Sequence, residues 1–306
     1  MVVFLSGCQP RQTVTLALLG DMMIGRGVEP MPDSLAYLAP ELSSADLALA
    51  NLESPLASTS DQPGANAGER AIAPAGYNLC ASSDAGTGTP SLTLADLLSG
   101  WGFDLLSLAN NHSLDCGPEG PAETRSALEE AGIASIGPGM EPVVREVNGL
   151  DLAFLAFEDV SSRLDENAAL QAIRSAHQAG AVVIVSVHWG MEYQGGASEQ
   201  QKSLAQEFAE AGAALVWGHH PHVLQPAAWI ETPYGETLVL YSLGNALFDQ
   251  RGLEDTRRSA LAVVTLDAKG VESVRVVPFE IDVVNSRVVQ ADEGMAKKIR
   301  ERLGLP

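Results

Sequence analysis

Short apolar runs that stop at a polar, metal-competent residue recur along the chain. Val14–Leu19 runs into Gly20-Asp21, Leu47–Ala50 into Asn51-Leu52-Glu53, and Phe103–Leu108 into Asn110-Asn111-His112. Ala181–Val187 runs into His188, and the apolar residues 213–216 into Trp217-Gly218-His219-His220-Pro221-His222. Runs that are apolar throughout, rather than alternating, predict strands buried on both faces. Helices are predicted over 34–42, 92–99, 119–131, 165–178 and 198–211, with Pro118 beside the first turn of the third. A further short strand is predicted at Ile133–Gly137. Asn148-Gly149, set between Val143–Val147 and Leu150–Phe157, predicts a hairpin with a type I′ turn. From 223 onward the pattern changes to strands at 223–230, 237–242, 260–266 and 271–280, then a helix at 291–302. Residues 57–90 are rich in Ser, Thr, Gly, Ala, Asp and Pro and predict an irregular insertion.

Composition narrows the picture. With 306 residues, 46% hydrophobic and 19% charged, the chain has enough apolar material for a large core and is not disordered in character. We read 13–306 as a single α/β domain. Eighteen basic against 39 acidic residues give a net charge of −21, which excludes a nucleic-acid-binding surface. An anionic substrate would have to be gathered by bound cations and a few local arginines. No apolar run is long enough to span a bilayer. Residues 1–12 read as the remnant of a lipoprotein signal and linker, because Leu5-Ser6-Gly7-Cys8 resembles a lipobox with Cys8 as the lipidated residue. Export would allow Cys80 and Cys116 to form a disulfide.

Three of the six histidines lie within 219–222. Pro221 fixes its own φ and is expected to keep His220 extended, aiming His220 and His222 at one point. One histidine in a polar loop would ordinarily meet only water. A cluster at a strand end, matched by oxygen and nitrogen donors at four other strand ends, points to metal binding. In open α/β sheets, sites form beyond the carboxyl ends of strands, where Asp21, Glu53, Asn111, His188, His220 and His222 all fall.

The ordered set GDMMIGR, ANLESPL, SLANNHSLDCG, HWGMEY, GHHPHVLQP and YSLGNALFD resembles the CapA (PgsA-type) family of bacterial capsule and poly-γ-glutamate synthesis proteins. That family is similar in fold to the calcineurin-like metallophosphoesterases. The resemblance implies a four-layer α/β/β/α sandwich with a dinuclear centre for divalent ions (Mn, Zn, Fe or Mg). It also implies an extracytoplasmic protein, often membrane-attached, that works with membrane-bound polymer synthases on an anionic polymer or phosphoester. Carried over by motif, the metal ligands are Asp21, Glu53 (with Asn51 as competitor), Asn111, His188, His220 and His222, and His219 is an extra. His112 becomes a general acid oriented by Asp115. Arg26 and Glu192 line the substrate pocket with Tyr193; Glu192 is alternatively a partner that orients His188. Trp189, Trp217 and Phe248 read as packing. Met23 stands where the wider superfamily has a metal-binding histidine, and a thioether suits these ions poorly. One ion is therefore expected to be firm and the other weak. Metal-assisted hydrolysis or transfer is the first functional reading. A non-catalytic protein that grips, exports or anchors the polymer is the second.

Overall fold

The structure, a computed structural model, describes residues 12–57, 79–82, 92–137 and 139–306. The lipobox-like segment and most of the 57–90 insertion lie outside these residues. Strands are β1 Val14–Met22, β2 Leu47–Leu52, β3 Leu56–Ala57, β4 Ala81–Ser82, β5 Leu105–Ser107, β6 Ala134–Ile136, β7 Val143–Val147, β8 Leu150–Glu158, β9 Val182–His188, β10 Ala213–His219, β11 Leu224–Gln225, β12 Ala228–Thr232, β13 Gly235–Leu240, β14 Ser242–Leu243, β15 Asn245–Leu247, β16 Arg258–Asp267, β17 Gly270–Asp282 and β18 Arg287–Gln290. Helices are α1 Ala39–Ser44, α2 Leu94–Gly100, α3 Gly120–Glu130, α4 Glu166–Gln178, α5 Glu199–Ala211 and α6 Glu293–Leu303.

Two sheets carry the fold. The first runs β18-β17-β16-β1-β2-β5-β6, with β15 also paired to β1, and its β1, β2, β5 and β6 are parallel. The second runs β12-β13-β10-β9-β8-β7, with β13, β10, β9 and β8 parallel. Alternation within the apolar runs divides each strand between two cores. Leu16 and Leu18 of β1 face the space between the sheets, where they join Leu152, Phe154, Ile184, Leu215 and Trp217. Ala17 and Leu19 face the other way, onto Leu42, Leu98 and Leu128 of α1–α3. On the far side, Val183, Val185 and Val187 of β9 meet Ile173 of α4 and Phe208 of α5. The layers are therefore α/β/β/α, as the family resemblance implies. Each fully buried Leu or Phe contributes roughly 1.5–3 kcal/mol through burial.

Local chemistry explains where elements start and stop. Asn148 and Gly149 have φ of +51° and +80°, the conformation a type I′ turn requires. Asp292 caps α6 by accepting Met295 N–H. The helix predicted at 34–42 is a series of turns followed by a short helix at Ala39–Ser44, because Pro40 has no N–H for the rung to Ala36 and fits only a first turn. The strand predicted at 223–230 is split into β11 and β12 at Pro226 for the same lack of a donor.

Candidate metal centre

The carboxyl ends of β1, β2 and β5 in one sheet, and of β9 and β10 in the other, open onto the same hollow. Trp217 Nε1 donates to Leu19 O at 3.0 Å and Ser186 Oγ to Ser107 Oγ at 2.9 Å, which locks the two sheets together just below it. Asp21 lies in register with Asn51 on β2 and with Asn245 on β15. Its N–H donates to Gly244 O at 3.0 Å, an approach that Gly20 alone permits, since a Cβ there would lie 1.8 Å from that same oxygen. Glu53 follows β2 and is held by its N–H to Met22 O at 2.8 Å. His188 ends β9 opposite His219 of β10. His220 is not extended: φ is +93° there and +57° at His222. Its N–H donates to Asp21 Oδ2 at 3.0 Å and Pro221 O accepts from Tyr193 N, so the turn is held by the site rather than by the proline alone.

The side chains expected as ligands meet there. His188 Nε2 is 2.8 Å from Asn111 Oδ1 and 3.8 Å from Glu53 Oε1. The His220 ring lies 4.8 Å from that of His188 and 5.8 Å from that of His222. His222 Nδ1 is 2.9 Å from Asn245 Oδ1 and 3.4 Å from Asp21 Oδ2, while its Nε2 is 4.0 Å from Glu53 Oε2. Ligand atoms of Asp21, Glu53 and His188, all fully buried, lie within 4.8 Å of one another.

Whether these residues suit a cation is decided by their unpaired atoms. Glu53 Oε2, His220 Nδ1 and both ring nitrogens of His219 are buried without a hydrogen-bond partner. An unsatisfied buried polar group costs about 1–3 kcal/mol, and more when charged. A divalent cation would satisfy such donors, and imidazole plus carboxylate is a set that transition ions favour. Asn51 is not the open oxygen donor. Its Nδ2 donates to Asp21 Oδ1 at 2.9 Å, so it orients a ligand instead.

The electrostatics fit the same use. Burial would raise Asp21, but His222, His219 and His188 beside it hold its pKa below the ordinary carboxylate range. Burial pushes Glu53 well above that range. Burial also lowers His188 well below the usual imidazole value and takes His219 and His220 to about 4, which keeps their lone pairs available. His222 goes the other way: burial would lower it, yet Glu53 and Asp21 bring it to about 9.

The remaining predicted residues are placed around the hollow. His112 Nδ1 is 2.8 Å from Asp115 Oδ2, which also accepts Leu79 N–H at 2.6 Å. A disulfide joins Cys80 to Cys116, the next residue after Asp115. Arg26 is paired with Asp249 through two donors, one at 2.8 Å, and lies 5.9 Å over the Phe248 ring. Glu192 stands by His222, whereas the hydrogen bonds of His188 run to Asn111 and Asn51. Met23 is buried in the helix-side core, and its sulfur accepts Gly25 N–H. Trp189, Trp217 and Phe248 are buried packing. Sequence reasoning assigns no role to Asn110, which donates to Leu52 O at 2.8 Å and accepts His112 N–H, and only a structural one, in a loop near the sheet end, to Asn245, which sets His222. The one signal for Asn245 was its place after an apolar run, in YSLGNALFD.

Comparison with known proteins agrees with the architecture. Residues 15–250 match the family described as bacterial capsule synthesis protein PGA_cap. The PGA biosynthesis protein CapA of Bacillus subtilis (strain 168) is 28% identical over 316 residues, covering 95% of this chain and 77% of that protein. The capsule biosynthesis protein CapA of Bacillus anthracis is 29% identical over 299 residues, covering 88% and 68%. A hypothetical protein from Thermus thermophilus, known from its crystal structure, superposes with a TM-score of 0.52 at 16% identity, over 87% of this chain and 99% of that one, a likeness of fold alone. The match over most of its length makes this chain a member of the bacterial capsule synthesis family PGA_cap.

Proposed function

We propose that this protein acts in capsule or poly-γ-glutamate biosynthesis through a divalent-cation centre that supports hydrolysis or transfer at a phosphoester or similar anionic group. The observation that carries this reading is the convergence of Asp21, Glu53, Asn111, His188, His220 and His222 on one hollow, with the His112–Asp115 pair at its side. Those six side chains would hold the cations. When bound, divalent ions supply Lewis-acid stabilisation of an oxyanion and a more acidic water. The chain's own residues do the rest. Asp115 accepts the Nδ1 proton of His112 and fixes the ring's orientation, so that Nε2, when it also carries a proton, can pass that proton to a leaving oxygen; such acid–base help is typically worth ~10²–10⁴ in rate. Arg26 offers a guanidinium to the anion, which must compete with Asp249 for it.

Two observations favour the second reading, a non-catalytic centre that grips or anchors the polymer. Met23 supplies no nitrogen, and Arg26 is already engaged. A purely gripping ion, however, needs no oriented imidazole beside it. The test is turnover of an aryl phosphodiester or monoester with added Mn²⁺. His112→Ala is expected to lower turnover about 10²-fold or more with cation content unchanged. Equal turnover in the variant would leave only the gripping role. The Cys80–Cys116 disulfide and the Leu5–Cys8 segment support an extracytoplasmic location with Cys8 as the lipid anchor, beside a membrane-bound synthase.

A further inference from the structure

The side chain at position 23 cannot supply the ligand that the wider superfamily places there, because Met23 is fully buried among apolar neighbours. A different residue stands at the outer side of the hollow. Glu192 Oε1 lies 4.0 Å from His222 Nε2, and ligand atoms of Glu192, His220 and His222 lie within 4.8 Å of one another. His222 Nδ1 faces Asn245 and Asp21, so its Nε2 is the nitrogen left open, and that nitrogen faces two carboxylates. One of them is Glu53 Oε2, fully buried, 4.0 Å away and without a hydrogen-bond partner. Glu53 thus lies between the inner group with Asp21 and His188 and the outer group with Glu192.

The loop that carries Glu192 is set for this position. Tyr193 has φ of +63°, its N–H donates to Pro221 O at 2.8 Å, and its hydroxyl accepts from Gln250 Nε2 at 3.3 Å. Gln250 in turn accepts from Asn245, the residue that orients His222. Loop and histidine turn are therefore held to each other through Tyr193, the residue after Glu192.

We propose that Glu192 is a ligand of the outer cation. This rests on the cation-centre reading above. The outer donor set is then Glu192, Glu53, His220 and His222. With two carboxylates, two imidazoles and a rim residue whose side chain is 43% exposed, it suits an exchangeable divalent transition ion such as Mn²⁺, while the inner position is enclosed.

The measurement is Mn²⁺ binding to the whole chain by calorimetric titration, with elemental analysis after equilibrium dialysis. The wild type is expected to bind two ions, the second more weakly. Glu192→Gln and Glu192→Ala should lose the weaker ion or hold it at least about tenfold less tightly, with the tighter ion unchanged. Glu192→His should restore binding with a preference shifted toward Zn²⁺. Unchanged binding of both ions in Glu192→Gln and Glu192→Ala would overturn the assignment, as would a single ion in the wild type. His188→Ala separates the two levels of the argument. If it loses the tight ion while the Glu192 variants change nothing, only the Glu192 assignment fails. If the wild type takes up no ion and His188→Ala changes nothing, the centre itself fails.

Discussion

At the residue scale, His222 is the group on which a proton and the proposed cation would compete. Its pKa of about 9, against an ordinary value near 6.5, comes from Glu53 and Asp21 overcoming the effect of burial. A raised imidazole stabilises the cation-free fold fully below about pH 6.5, and that contribution is lost as pH rises through about 9. A cation needs the neutral ring, so its affinity should rise over the same window. Calorimetry in two buffers of different ionisation enthalpy is expected to show at least one proton released per outer ion near pH 7.5, and tighter binding at pH 8.5 than at pH 6.5. Affinity independent of pH, with no proton release, would remove His222 from the ligand set. The identity of the donors was legible in the sequence because each follows an apolar run. Their orientation was not. That Asn51 donates to Asp21, or that Asn245 sets His222, depends on strand register, Asp21 against Asn51 on one side and Asn245 on the other, and this is a tertiary fact.

Elements were readable where burial is two-sided and misread where a proline intervenes. The runs at 14–19, 47–50, 181–187 and 213–216 became the parallel strands that deliver the site, while Pro40 and Pro226 moved or split the segments around them. The pairing of β15 beside β1 was invisible, since β15 is three residues long and joined to β1 across more than 200 positions. That pairing depends on Gly20. Gly20→Ala would drive a Cβ into Gly244 O, where backbone and not a flexible side chain must yield. We expect a loss of roughly 2 kcal/mol or more in a denaturant midpoint, together with weakened cation binding, because Asp21 is the next residue. Normal stability and normal binding would show that the strand pair is not needed. The disulfide acts at the same scale. Closing the 36-residue separation between Cys80 and Cys116 should stabilise by about 3–4 kcal/mol. It also keeps Leu79 N–H on Asp115, the partner of His112. The paired Cys80→Ser and Cys116→Ser variant should therefore melt earlier and lose turnover beyond what thermal unfolding explains. Full activity well below its melting temperature would separate the bridge from the His112 pair.

At the scale of the whole molecule, charge is the governing constraint. A chain of net −21 and an anionic polymer repel one another. If attraction came from scattered arginines, binding would weaken as salt rises. If it is local to cations in the hollow, the long-range term is repulsive, and moderate NaCl should help, because a Debye length of about 8 Å at 0.15 M screens the repulsion while leaving short coordination contacts largely intact. The expected pattern is therefore unusual in sign. Poly-γ-glutamate should bind in Mn²⁺, bind somewhat better at 0.15 M than at 0.02 M NaCl, and be released by a chelator. The same chelator should lower the melting temperature, since an ion present at a hundredfold its dissociation constant stabilises by about 2.7 kcal/mol, or roughly 4 °C for a chain of this size. Both effects would have one origin: the ion proposed for the hollow would hold together the buried carboxylates and imidazoles that face each other there and would also meet the polymer. Polymer binding that survives the chelator, or that falls steadily with salt, would place recognition on a basic patch elsewhere and detach it from Asp21, Glu53 and the histidines.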